Sequence, residues 1–183
     1  KLIIDPNNNN VFYATTQGAT EYTDKVGDGA GVFKSTDRGN NWTQINNGLD
    51  SLETNILTVD PSDSETLYLG TDDDGVYKST DGGESWKKLT VSSLSKSFGV
   101  GDIIVDPQNS NNIYIGTVDY FRLSESRGVL GDFGVYKSTD GGATWEEFNV
   151  GLNHLGVFSL ELSEENRILY AGTRAGGVYW INL

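Results

Sequence analysis

The chain has 183 residues, which at about 100 to 200 residues per domain bounds it to one domain or a repeat array of similar size. Thirteen Lys and Arg against 26 Asp and Glu leave a net charge of −13, which makes nucleic acid and anionic membrane surfaces poor partners, because binding them needs clustered cations. Cys is absent, which excludes disulfides, thiolate metal sites and cysteine nucleophiles, while 36% hydrophobic and 11% aromatic residues suffice for a packed core.

Taken in chain order, residues 2–15 (LIIDPNNNNVFYAT) predict two strands joined at Asp5-Pro6, since short apolar runs bounded by Asp-Pro and Asn clusters read as strands and turns. A long connection, 16–30, leads to a third strand and to the phrase Ser35-Thr36-Asp37-Arg38-Gly39-Asn40-Asn41-Trp42. The same two phrases then return as LTVDPSDSETLYLGT (57–71) and GVYKSTDGGESW (75–86), and again as IIVDPQNSNNIYIGT (103–117) and GVYKSTDGGATW (134–145). A weaker copy, FSLELSEENRILYAGT (158–173), precedes Gly177-Val178-Tyr179-Trp180. In the second unit the strands are read at 57–59, 67–71, 75–79 and 86–89, and no helical periodicity of any length interrupts the pattern.

Four antiparallel strands recurring about every 45 residues are the blade of a β-propeller. The expected fold is therefore all-β, a single propeller module over 1–183 with blades near 1–50, 51–95, 96–152 and 153–183. The last blade lacks its outer strand, so about 3.75 blades are expected, or 15 strands of 16. With no Met, even at position 1, the chain reads as a processed product or a segment of a larger propeller. Its partners are then the remaining blades of the same protein or a second copy, because an open array would expose strand edges and apolar faces.

The turn S-T-D-x-G-x-x-W divides its work among residue types. Ser35, Ser79 and Ser138 and Asp37, Asp81 and Asp140 can accept from backbone N–H groups, and Gly39, Gly83 and Gly142 take a backbone conformation that side chains resist. Trp42, Trp86 and Trp145 then cap the hairpin with an apolar face. This phrase resembles the Asp-box, or BNR repeat, of sialidases, xyloglucanase-type glycoside hydrolases, sortilin-type receptors and photosystem assembly factors. The whole wording, with VDPxxxxxxYxGT before it and Asn47-Gly48-Leu49 or NVGL (149–152) after it, is most similar to xyloglucanase-type and sortilin-type propellers. The resemblance implies that these turns are scaffold, on the face away from any active site.

Function is expected on the opposite face, where connections held by a rigid scaffold concentrate it. Units one and three carry 11 and 13 residues more than unit two between their phrases, at 16–30 and 118–133. Candidate ligand-binding residues are Tyr22 and Asp28 in the first loop, Asp72, Asp73 and Asp74 in the short one, Asp119, Tyr120, Phe121 and Arg122 in the third, and His154 beyond it. Aromatic rings stack on apolar sugar faces and carboxylates bind hydroxyls or act in pairs in glycoside hydrolysis; the plain structural alternative for 72–74 is a solvated acidic turn before Gly75. No cofactor or metal is expected, save that consecutive carboxylates at Asp72–Asp74 could take a Ca²⁺ ion, although they lack EF-hand spacing.

A sialidase would need an arginine triad for its substrate carboxylate, which this acidic chain with five Arg does not present. The expected function is a non-catalytic extracytoplasmic binding or assembly module, secreted or at the cell surface, with a polysaccharide or protein ligand. The alternatives are part of a glycoside hydrolase acting on a neutral β-glucan, with Asp28, Asp72, Asp73, Asp74, Asp119 or Asp132 as carboxylates and the pair unassigned, or a structural repeat of a cell-surface assembly.

Overall fold

The computed structural model describes residues 1–18, 29–94, 98–118 and 133–183. Strands β1 (Leu2–Asp5), β2 (Asn8–Thr15), β3 (Val32–Ser35) and β4 (Thr43–Gln44) form one antiparallel sheet, and β5 (Thr54–Asp60), β6 (Asp63–Thr71), β7 (Val76–Ser79) and β8 (Lys87–Lys88) a second. A third holds β9 (Gly99–Val105), β10 (Ile113–Val118), β11 (Val135–Ser138) and β12 (Glu146–Glu147), and a fourth β13 (Val157–Ser163), β14 (Ile168–Thr173) and β15 (Gly177–Asn182). Each sheet is a meander in sequence order, the four are stacked as the blades of a β-propeller, and no helix occurs among the described residues.

The first two strands of a blade run longer than their apolar runs suggested. In the second blade the ladder continues through the Asp-Pro turn, pairing Asp60 with Asp63 after a bulge. The reason is that the turn's polar residues are satisfied internally: the Ser62 N–H donates to Asp60 Oδ1 at 2.8 Å, as Asn7 does to Asp5 and Gln108 to Asp106.

The middle blades are covered on both sides, which buries most of their central strands. β10 is buried from Ile113 to Val118, as expected of a strand sandwiched between two layers. Each core cluster therefore straddles a blade boundary. Tyr13 and Val32 of the first blade pack on Leu57, Val59, Leu67 and Trp86 of the second. Tyr68 and Val76 pack on Val105, Ile113 and Trp145 of the third, and Tyr114 and Val135 on Leu160, Leu162 and Leu169 of the fourth.

Polar clasps reinforce the same boundaries. Lys34 Nζ donates to the Gly82 carbonyl at 2.8 Å and lies over the Tyr13 ring, while Lys78 repeats this with Gly141 at 3.0 Å and Tyr68. The Asp-Pro carboxylates, expected only to form turns, also accept from the following blade: Ser64 Oγ donates to Asp5 at 2.9 Å, Ser110 Oγ to Asp60 at 2.6 Å, and Arg167 to Asp106.

In the S-T-D-x-G-x-x-W turns the Ser hydroxyl donates to the Asp carboxylate at 2.7–2.8 Å and accepts the N–H of Gly39, Gly83 or Gly142. The carboxylates of Asp37, Asp81 and Asp140 lie below the ordinary range, the latter two at about 2, chiefly because the side chains of Asn41, Ser85 and Thr144 donate to them. Trp86 and Trp145 are buried, whereas Trp42 is 39% exposed.

Candidate functional site

The face opposite those turns is organised by one threonine per blade. The hydroxyls of Thr16, Thr71, Thr117 and Thr173 donate to the carbonyls of Gly31, Gly75, Gly134 and Gly177 at 2.9–3.1 Å. The same oxygens accept the N–H of Ala30, Asp74, Phe133 and Gly176. A blade thus closes its second-to-third-strand connection at the base, whether the loop beyond is short or long, which is why length varies there without disturbing the sheet. Tyr22, Asp28, Asp119, Tyr120, Phe121, Arg122 and Asp132 lie outside the described residues.

Asp72, Asp73 and Asp74 diverge from one another. Asp74 accepts the Tyr77 hydroxyl and pairs with Lys88, and Asp73 accepts from Ser51 Oγ at 3.0 Å. Asp72 turns inward, is buried, and takes Gln17 Nε2 on both oxygens at 3.1 Å. Burial foremost, with the charges of Glu53 and Asp73, pushes its carboxyl up to about 6 against the lowering effect of Gln17. His154 is exposed and sits over the turn of the fourth blade, against Gly176, apart from the three carboxylates.

One residue that sequence reasoning missed is Glu53. Its carboxylate accepts the Gly18 N–H at 2.7 Å and the Gly29 N–H at 3.0 Å, so one buried side chain fastens both ends of the first long loop. Its carbonyl accepts the Asp72 N–H at 2.9 Å. No local pattern around Glu53 signals this, since the partners are 24 and 35 residues away.

Gln17 leads from this cluster to the axis. There a cavity of about 420 Å³ is walled by the first strands of the second, third and fourth blades and by Lys1, Thr15 and Gln17 of the first, with Asn55, Asp102, Phe158 and Ser159 among its lining residues. A second cavity of about 330 Å³ shares Lys1 and Asp102 with it. Asp102 is locked by the N–H groups of Ile103 and Leu160, both at 2.9 Å, and its carboxyl is raised mainly by burial. Hydroxyl, amide and carboxylate groups beside one aromatic ring can exchange hydrogen bonds with a hydroxyl-rich ligand. Among the described residues no group of three or more acidic or histidine side chains is placed to hold a metal ion.

Comparison with known proteins agrees with this architecture. The family described as "Sortilin, neurotensin receptor 3" matches residues 30–177. The chain belongs to the Sortilin-Vps10 family. Over 92 residues, 45% of this chain, it is 36% identical to the xyloglucanase Xgh74A of Acetivibrio thermocellus, of which that stretch is 10%. Among solved structures, an ancestral GH74 enzyme superposes with a TM-score of 0.75 at 24% identity, over 98% of this chain and 22% of the other. The GH74 enzyme of Niastella koreensis does so at 0.71 and 26% identity, over 99% and 28%. This Sortilin-Vps10 chain therefore spans a tenth of the curated relative and about a quarter of these two enzymes.

Proposed function

We propose that this propeller is a ligand-presenting module of a secreted or cell-surface protein, binding a neutral, hydroxyl-rich polymer such as a polysaccharide at the loop end of its axis. One observation carries the reading: the axial cavity is walled by polar side chains from all four blades with Phe158 among them, and Gln17 continues it to Asp72. Neutral ligands fit because the chain carries a net charge of −13, whose field repels anions. The test is affinity electrophoresis against neutral and anionic polysaccharides. Retardation by a neutral polymer that is lost in Gln17→Ala and Phe158→Ala supports the proposal; indifference to every neutral polymer refutes it.

A second reading is favoured by Asp72, a buried carboxyl raised to about 6 whose backbone N–H donates to the Glu53 carbonyl. A carboxyl raised by burial can serve as the general acid of glycoside hydrolysis, and the matched relative is a xyloglucanase. New reducing ends from xyloglucan, absent in Asp72→Asn, would support hydrolysis; binding without turnover would support the module.

A further inference from the structure

The connection that leads from one blade to the next contains the same turn three times. The Leu49 N–H donates to the Asn46 carbonyl at 3.1 Å, the Leu94 N–H to Val91 at 2.8 Å and the Leu152 N–H to Asn149 at 3.0 Å. The two central residues of the turn are Asn47-Gly48, Ser92-Ser93 and Val150-Gly151 in turn. Its first central position accepts an amide, a hydroxyl or an apolar side chain, so the fold does not demand asparagine there. Asn47-Gly48 is the only Asn-Gly pair in the chain.

That pair carries a nucleophile and an electrophile in one turn. The nucleophile is the Gly48 nitrogen, which no Cβ shields and whose N–H donates to no acceptor among the described residues. The electrophile is the side-chain amide carbon of Asn47, an exposed residue whose Nδ2 donates to the Glu84 carbonyl at 3.4 Å, long for a hydrogen bond. By contrast, the exposed Asn40 and Asn41 are followed by Asn and Trp, and each side chain is held at 2.6 Å by Asp37.

The main chain of the same two residues is committed to the boundary between the first and second blades. The Asn47 carbonyl accepts the Trp86 N–H at 2.9 Å, and a Cβ at Gly48 would lie 2.2 Å from the Trp86 carbonyl. Trp86 Nε1 in turn donates to the Ile45 carbonyl at 2.8 Å.

We propose that Asn47-Gly48 is a self-modification site, a slow covalent switch that loosens the contact between these two blades. The Gly48 nitrogen attacks the Asn47 side-chain carbon, and the bond from that carbon to Nδ2 breaks. Ammonia leaves with the proton of the Gly48 N–H, and a five-membered imide remains. Water then adds to one of the two imide carbonyls and breaks its bond to nitrogen. One opening gives aspartate at position 47; the other gives isoaspartate, whose main chain runs through the former side chain and is one methylene longer. Both products replace a donor with a carboxylate beside the Glu84 carbonyl, and isoaspartate also displaces the carbonyl that holds the Trp86 N–H, leaving that donor unpaired.

Incubating the folded 183-residue chain in mildly alkaline buffer, with peptide mapping by mass spectrometry and hydrogen exchange at intervals, tests it. The expected result is a gain of about 1 Da at Asn47 before any at Asn40 or Asn41, in two products of equal mass that separate by chromatography. Exchange at the Trp86 amide should rise in step with the isoaspartate fraction. Asn47→Ser, which copies Ser92, should show neither change. Freshly made Asn47→Asp carries the charge without the longer main chain and should keep the Trp86 amide protected. The same chain unfolded in urea is the reference: conversion there while Asn47 stays intact in the folded chain overturns the proposal. So does an isoaspartate product that leaves Trp86 exchange unchanged.

Discussion

Arg167 holds the fully buried carboxylate of Asp106 with two parallel hydrogen bonds, Nη1 to Oδ1 at 2.9 Å and Nη2 to Oδ2 at 2.6 Å. The two residues belong to the first turns of adjacent blades, and the same clasp is made by Ser64 on Asp5 and Ser110 on Asp60. Only at the last boundary is the donor charged, so there the interaction is bidentate and charge-assisted.

Arg167→Ala should lower the melting temperature by several degrees, because it strands a buried carboxylate, and Arg167→Lys should recover only part. The guanidinium holds Asp106 below its ordinary 3.8. Its stabilisation is therefore present above that pH and lost as pH falls through the lowered folded value. Thermal unfolding at pH 3 and pH 7 checks both: the gap between wild type and Arg167→Ala narrows in acid.

Asp72 has the opposite sign. Burial raises its folded pKa to about 6 from 3.8, so its contribution is most favourable below pH 3.8 and declines as pH rises through about 6. Asp72→Asn should remove this contribution to the decline and be more stable than wild type at pH 7 by an amount on the order of 2 kcal/mol. Urea unfolding at pH 4 and pH 7 measures the difference, and an unchanged pH profile would be inconsistent with a buried acid.

Glu53→Ala leaves the Gly18 and Gly29 N–H groups without their acceptor, at a cost of about 2 kcal/mol. The local signature is faster hydrogen exchange at those two amides, with the Asp81 and Asp140 turns unaffected. Glu53→Gln keeps one acceptor oxygen and should protect one amide of the two.

Gly134 and Gly177 both have positive φ, 87° and 88°, but differ in what surrounds them. A Cβ at Gly134 would sit 2.0 Å from Asn149 Oδ1, which holds the Val135 N–H, whereas nothing lies within 4 Å of one at Gly177. Gly177→Ala should cost about 1 kcal/mol of backbone strain alone. Gly134→Ala should cost at least twice as much, and the ratio from paired denaturation curves isolates the lost asparagine clasp.

Much of the fold was legible because a blade is a local object. Alternating apolar residues, Asp-Pro and the S-T-D-x-G-x-x-W phrase act over a few residues each, and their recurrence announces a propeller. The long connections announced themselves by length, since spacing between identical phrases is countable. The three aspartates at 72–74 looked like a cluster only because sequence places them side by side; successive residues of a turn point apart, and Asp74 is spent on Tyr77 and Lys88.

By itself the sequence determined the strands, their order, the turns and the loci of variable length, because each depends on backbone preferences and short-range hydrogen bonds. Tertiary structure alone decided that Glu53 fastens Gly18 and Gly29, that Gln17 joins Asp72 to the axis, and that Asp5, Asp60 and Asp106 clasp the following blade. Those partners are separated by 24 to 61 residues, and only the stacking of blades, driven by burial of their apolar faces, brings them within hydrogen-bond distance.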